Sequence, residues 1–161
     1  MNGERVTIII GLISDTHGLL REEAVAALRG CERIIHAGDI GSPAVIDGLR
    51  EVAPTTVIRG NVDSGSWAET LPSTTTVEVG DKRIHVLHNL RELDLDPAAA
   101  GIDVVVSGHS HQPGAERRGG VLYVNPGSAG PRRFRLPVVL ARLRLAPRGM
   151  SVRHVDLLAA R

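Results

Sequence analysis

The sequence predicts an α/β protein built from two β-sheets packed together, with helices on the outside. Two observations lead there: the first part of the chain reads β-α-β-α-β, and the remainder is dominated by strands, two of them joined by a tight turn. Composition is the third. One Trp, one Tyr and one Phe among 161 residues leave Val, Ile, Leu and Ala to form the core, which suits strands buried on both faces. The length accommodates one domain, residues 1–161.

Residues 7–14 read as a first strand, continuous in Ile and Leu rather than alternating. A helix over 20–29 follows, with Leu20, Ala24, Ala27 and Leu28 as its apolar positions. Residues 33–37 make a short second strand. The helix at 43–52 carries its own start signal, with Ser42 as N-cap and Pro43 at the first helical position. Residues 55–59 form a third strand. Segments 74–79 and 82–88 pair around Gly80-Asp81, a dipeptide suited to a hairpin turn. A helix is expected over 90–100, with Pro97 limiting its length. Strands at 102–107, 121–124, 138–145 and 151–155 complete the chain, the last two joined at Pro147-Arg148-Gly149. No repeat, low-complexity tract or linker interrupts the series.

Most of the apolar runs close on a polar motif: Asp15-Thr16-His17, Gly38-Asp39, Gly60-Asn61, His88 and Gly108-His109-Ser110-His111. Open α/β sheets bind ligands outside the carboxyl ends of their parallel strands, so these motifs converge on one edge although they lie far apart in sequence. Each offers an oxygen or imidazole nitrogen suited to a divalent metal, and together they suffice for two ions. If strand direction persists past Ser14, alternation points Asp15 and His17 to the same side. His109 and His111 repeat that spacing. Read singly, each motif has a plainer alternative: a solvated loop or cap for Asp15 and His17, a surface pair for His109 and His111, a turn for Asp39 and Asn61, a half-buried histidine for His88. Ser42 already caps its helix, which leaves Asp39 free for another role.

Several function classes are excluded or disfavoured. A net charge of +1 gives no electrostatic pull toward nucleic acid or membrane, and scarce aromatics argue against a single-strand stacking platform. No apolar stretch reaches the roughly 18 residues a membrane span requires. Residues 6–13 resemble a signal-peptide core but lack an Ala-x-Ala cleavage site. Cys31 is the only cysteine, so no intramolecular disulfide forms and a reducing compartment is expected. The expectation is a cytoplasmic protein.

Taken as an ordered set, Asp-x-His, Gly-Asp, Gly-Asn, a lone His and Gly-His-x-His resemble the calcineurin-like metallophosphoesterases. Within that family the chain resembles the small bacterial and archaeal branch, the YfcE-type phosphodiesterases, which are also similar to vacuolar sorting protein 29 of retromer. The resemblance extends from Ile8 to Arg133, and Asn125-Pro126-Gly127-Ser128 with Pro131-Arg132 also belongs to it. The resemblance implies a four-layer α/β/β/α sandwich of two mixed sheets around a binuclear metal centre. It assigns Asp15, His17 and His111 to the first metal and Asn61, His88 and His109 to the second, with Asp39 bridging both. Two divalent cations are therefore expected, manganese first, with Fe, Zn, Ni or Co as alternatives that suit a mixed N/O donor set. Homodimers or homotetramers are also implied.

This centre explains the sparing use of carboxylates. Two dications carry four positive charges, and Asp15, Asp39 and a bridging hydroxide remove three, so the remainder attracts an anionic phosphate ester. The expected reaction is attack of that hydroxide on a small phosphate ester, most simply a phosphodiester. Asp39 and Asn61 would act at the reacting centre. Two positions depart from the family. Val62 stands where larger relatives place a proton-donating histidine, leaving Asp63, another histidine or metal-bound water as the acid, and favouring activated leaving groups. Leu90 replaces the second histidine of a His-Gly-His motif, here His88-Asn89-Leu90. The competing reading is a non-catalytic interaction scaffold that keeps the fold. Retention of every ligand position favours the enzyme.

Four other features remain, three of them with two readings. His36 either orients a ligand or is a satisfied core histidine. His85 faces solvent or the second sheet. Arg132, Arg133 and Arg135 attract phosphate or form a solvated or interface cluster, and Trp67 is a candidate dimer contact.

Overall fold

Strand β1 (Ile8–Ile13) serves two cores at once. Ile10 and Leu12 point into a layer shared with the second sheet, while Ile13 faces the helices. Alternation is therefore present but invisible in the sequence, because both faces are apolar. Gly11 lies on the helix face, where a Cβ would strike the Leu28 side chain. The structure, a computed structural model, describes residues 6–159. Positions 1–5 and 160–161, the ends of the predicted domain, lie outside the described residues.

The first sheet places β1 beside parallel β2 (Arg33–His36), which pairs with parallel β3 (Thr55–Val57). On the other side run antiparallel β9 (Val139–Ala146) and β10 (Gly149–Asp156), giving the order β10-β9-β1-β2-β3. Helices α1 (Glu22–Leu28) and α2 (Pro43–Val52) cover its outer face. Leu28, Val45, Ile46 and Leu49 pack there against Ile13, Ile34 and Leu140. Each such aliphatic burial contributes roughly 1.5–3 kcal/mol. Ser42 caps α2 as the sequence predicts, its Oγ accepting the Ala44 N–H at 3.2 Å.

The second sheet has the order β4-β5-β6-β8-β7. Its centre, β5 (Lys82–Leu87), β6 (Val104–Val106) and β8 (Val121–Asn125), is parallel. Antiparallel β4 (Thr74–Val79) and β7 (Gly114–Arg118) form the edges. Ile84, Val86, Val104 and Val106 meet Ile10, Leu12 and Ile35 between the sheets. Both sheets are thus mixed, as predicted, and their parallel strands share one carboxyl edge.

Four details differ from the sequence reading. The helix expected over 90–100 is only a 3-10 turn at Leu90–Glu92. Pro97 disfavours helix for Asp96, which instead begins a turn, accepting the Ala99 N–H on Oδ1 at 3.4 Å and the Ala100 N–H on its carbonyl at 3.0 Å. The outer layer over the second sheet is accordingly thin, with Leu90 and Leu93 lying on Leu87, Ile102, Val105 and Val121. Strand β7 has no hydrophobic pattern because every residue in it is exposed at the sheet edge. Short helix α3 (Ser66–Glu69), unmarked in the sequence reading, turns Trp67 onto the helix-side core, where it is partly buried. His85 is buried and pairs with Thr76 Oγ1 at 2.8 Å. Among the described residues no helix is long and apolar enough to cross a membrane.

Candidate metal centre

The loops after β1, β2, β3, β5 and β6 bring the predicted motifs to one edge, but not by strand alternation. Asp15, His17, Asp39, His109 and His111 all have positive φ, between 47° and 71°. Asp15 and His17 therefore share a side because the chain turns sharply at each of them. Left-handed non-glycine residues cost on the order of 1–3 kcal/mol each and persist where surrounding structure imposes them.

Two donor groups result. Asp15, His17 and His111 present ligand-type atoms within 4.8 Å of one another, and so do Asp39, His88 and His109. Asn61 joins the second group, its Oδ1 lying 3.2 Å from His109 Nδ1. Asp39 stands between the groups, with Oδ2 at 3.1 Å from His88 Nε2 and 3.8 Å from His17 Nε2. Asp15 Oδ1 is 3.3 Å from His111 Nε2 and 3.8 Å from His88 Nε2. Asp15, Asp39, His88 and His111 form a buried floor, whereas Asn61 and His109 are exposed at the mouth.

These residues suit a divalent cation. Asp15 Oδ1, His17 Nε2, His88 Nε2 and His111 Nδ1 are buried without a hydrogen-bond partner. Unpaired buried polar atoms are costly and rare, and four at one point, all Lewis bases, are matched by a cation rather than by a proton donor. The surrounding bonds aim them inward. Asp15 Oδ2 accepts from Ser14 Oγ at 2.7 Å and from the His109 N–H at 3.1 Å, which leaves Oδ1 for the cluster. His88 Nδ1–H donates to the Ala37 carbonyl at 2.7 Å, so its lone pair is on Nε2. The Val62 N–H holds Asp39 Oδ1 at 3.1 Å.

Electrostatics follow this geometry. Burial opposes charge on Asp39, but the adjacent His88 imidazole and the Val62 N–H outweigh it and hold the carboxyl below its usual range. His88 moves the opposite way, raised by Asp39, the Ala37 carbonyl and Asp15 against the effect of burial. Burial lowers His17, with Asp39 and Asp15 partly compensating. Burial also pushes His36 down to about 4.

Among the described residues His36 makes no hydrogen bond to a donor-group side chain. It accepts the Gly38 N–H on Nδ1 at 3.1 Å and donates from Nε2 to Thr16 Oγ1 at 3.0 Å, and Thr16 in turn donates to the Ile40 carbonyl at 2.9 Å. It therefore pins the Asp15-Thr16-His17 loop to the Gly38-Asp39 loop. Asp63 sits outside both donor groups. Its carboxylate accepts the Ile40, Gly41 and Gly60 N–H groups at 3.1, 2.9 and 2.8 Å, which ties the Gly60-Asn61 loop to the loop after Asp39. Sequence reasoning gave no role to Ser14, Thr16 or Ser128, although each lies in or beside a motif. It also gave no role to Asn125, which donates to the Gly108 carbonyl at 3.1 Å and steadies the His109 loop. A cavity of about 850 Å³ opens beside His109, walled by Leu90, Arg91, Arg118 and Tyr123, which is ample for a small ligand.

A two-sheet sandwich carrying paired His/Asp groups at one strand edge has the make-up of a metal-dependent hydrolase. The chain belongs to the calcineurin-like phosphoesterase superfamily, whose domain matches residues 8–146. A probable metallophosphoesterase from Methanothermobacter thermautotrophicus is 34% identical over 148 residues, covering 83% of this chain and 84% of that protein. The probable metallophosphoesterase YsnB of Bacillus subtilis is 32% identical, covering 90% and 89%. Among solved structures, an archaeal phosphodiesterase superposes with a TM-score of 0.74 at 24% identity, covering 92% of this chain and 99% of its own. Vacuolar protein sorting 29 from Cryptosporidium parvum gives 0.75 at 18% identity, covering 92% and 97%. These two likenesses establish the fold.

Proposed function

We propose that this chain is a binuclear phosphodiesterase. Asp15, His17 and His111 hold one divalent cation, Asn61, His88 and His109 hold the other, and Asp39 is shared. The position of Asp39 Oδ2 between the two histidine groups is the observation that carries this reading. Two such cations supply an activated water nucleophile and neutralise phosphoryl oxygens. The chain's own contribution is to fix the donors and leave the mouth open to an anion. With Asp15 and Asp39 as the only carboxylates in the two groups, the loaded centre keeps positive charge for a phosphate ester. The exposed mouth at Asn61 and His109 leads into the cavity lined by Leu90 and Tyr123, which gives a diester's second substituent somewhere to lie. The Val62 side chain has no transferable proton, and the Asp63 carboxylate is turned toward three backbone N–H groups. The leaving oxygen takes its proton from solvent, so esters of acidic alcohols and phenols are the better substrates. Manganese leads the candidate metals, and a cytoplasmic homodimer or homotetramer is part of the same proposal.

The test is hydrolysis of bis-p-nitrophenyl phosphate by chelator-stripped protein, with and without Mn²⁺, alongside Asn61→Ala. Activity should return with Mn²⁺ and fall by roughly 100-fold or more in the variant, as losing a direct ligand should cost at least as much as losing a ligand's support. Inactivity with Mn²⁺, Ni²⁺, Zn²⁺ and Fe²⁺ in folded, metal-loaded protein would favour the scaffold reading, to which the likeness to vacuolar protein sorting 29 lends support.

A further inference from the structure

Six described non-glycine residues have positive φ, and five of them carry the donor groups; the sixth is Phe134, at 52°. A bulky side chain avoids the left-handed region unless its surroundings impose it. Packing does not account for this one, because Phe134 is 93% exposed, more than any other large hydrophobic residue described. The Leu136 N–H closes the turn that presents it, donating to the Arg133 carbonyl at 3.1 Å.

The turn is strongly cationic and anchored at the donor groups. Arg132, Arg133 and Arg135 are exposed, and among the described residues none has a carboxylate within ion-pair distance. Just upstream, Ser128 Oγ donates to the Asp15 carbonyl at 3.0 Å and the Ala129 N–H to the Ser14 carbonyl at 3.1 Å. The Arg21 guanidinium holds the Gly130 carbonyl at 3.3 Å. The turn that carries this unpacked ring and these three unpaired guanidinium groups therefore leaves the rim beside Asp15, and Arg133 is near enough for its charge to act on His17.

We infer that the turn over 131–136 recognises a nucleoside phosphate ester: Phe134 stacks on one base while the flanking arginines engage phosphate oxygens. The inference rests on the phosphodiesterase reading and specifies its substrate class. A ring offers its face to any base, and guanidinium forks match phosphate geometry. One ring serves one base, in keeping with a chain that has a single Phe and a net charge of only +1. Three arginines and one ring fall short of the polybasic clusters, roughly four to eight residues, that hold proteins on anionic membranes.

The test compares two esters with the same leaving group, thymidine 5′-(p-nitrophenyl phosphate) and methyl p-nitrophenyl phosphate, in Mn²⁺-loaded wild type, Phe134→Gly and Phe134→Trp. The thymidine ester should be favoured in kcat/KM by about tenfold, the effect of one base–aromatic stack. That ratio should fall toward one in Phe134→Gly and survive in Phe134→Trp. Fluorescence anisotropy of etheno-AMP and of labelled hexathymidylate, with metal-free protein, should show weaker binding in Phe134→Gly. Tighter binding of the hexamer supports a strand end as the source, and equal binding supports a free nucleotide. Phe134→Gly relieves the left-handed backbone, so an unchanged or raised Tm separates recognition from misfolding. An equal ratio in wild type and variant, with nucleotide binding unmoved, overturns the inference. So does a change confined to self-association by light scattering or to binding of anionic vesicles. Wild type inert on both esters would remove the phosphodiesterase reading, while the anisotropy arm would still decide the role of Phe134.

Discussion

His36 makes folding stability depend on pH by an amount the structure fixes. Its ring is fully buried between two loops, and its pKa is pushed down to about 4 from 6.5, first by burial and then by His88. Asp15, Asp63 and Asp39 act in the opposite direction without overcoming burial. Above pH 6.5 the ring is neutral in both the folded and unfolded chain and contributes no pH dependence. Below 6.5 the unfolded chain takes up a proton that the native ring refuses, so stability falls with pH until the folded pKa near 4 is passed. Each pH unit in that window removes about 1.4 kcal/mol, so acidification to about pH 5 removes about 2 kcal/mol. The perturbation is His36→Asn, whose Oδ1 can still accept the Gly38 N–H but cannot titrate. It loses the bond to Thr16, about 1 kcal/mol at any pH. Urea unfolding of chelator-treated protein, at pH above 7 and near 5, should show wild type losing about 2 kcal/mol more than the variant. His17 and His85 are also lowered by burial but are present in both proteins, so the difference isolates His36. Equal losses would mean that His36 protonates in place, and the argument from its burial would be wrong.

Two further substitutions test how the donors are held. Asp63→Asn turns one acceptor of three N–H groups into a donor facing them, which should destabilise by about 1–3 kcal/mol and lower kcat by loosening the Asn61 loop, with the alkaline limb of the pH–rate profile unmoved. Disappearance of that limb would restore Asp63 as the proton donor. Gly108→Ala would drive a Cβ against Ser14 Oγ and to 2.6 Å from Asp15 Oδ2. The expected result is about 1–3 kcal/mol of destabilisation and roughly tenfold weaker Mn²⁺ binding by calorimetry; unchanged affinity would show that the Ser14 and His109 bonds do not position Asp15.

Elements with strong local signals were legible in the sequence. The Ser42-Pro43 start predicts α2 to the residue, and Gly80-Asp81 predicts the β4–β5 hairpin, because capping and turn chemistry act within a few residues. Apolar runs gave β1, β2 and the long strand β9 for the same reason. Edge strand β7 buries nothing and so has no pattern to read. The segment after His88 has helix-forming residues, but Asp96-Pro97 redirects it locally, and Leu90 and Leu93 are held by the second sheet rather than by helical bonds. At the candidate site, residue types and order were visible, and the family resemblance drew them together. The left-handed turns at Asp15, His17, Asp39, His109 and His111 were not, since aspartate and histidine carry no local signal that forces positive φ. Asp63 illustrates the same limit: its position after Gly60-Asn61 suggests chemistry, while its bonds to the Ile40 and Gly41 N–H groups depend on a second loop far away in sequence.

Each donor group draws from both sheets. Asp15 and His17 follow β1 while His111 follows β6; Asp39 follows β2 while His88 and His109 follow β5 and β6. Between these sheets lies otherwise an apolar layer of Ile, Val, Leu and Ala, which resists separation but grips weakly against sliding. A cation seated in either group is thus a cross-link fastening one half of the sandwich to the other at its rim. Occupancy would then register as resistance to unfolding, rising with metal concentration through mass action. Thermal melting across a panel of cations can therefore rank the metals of this protein before any substrate for it is in hand.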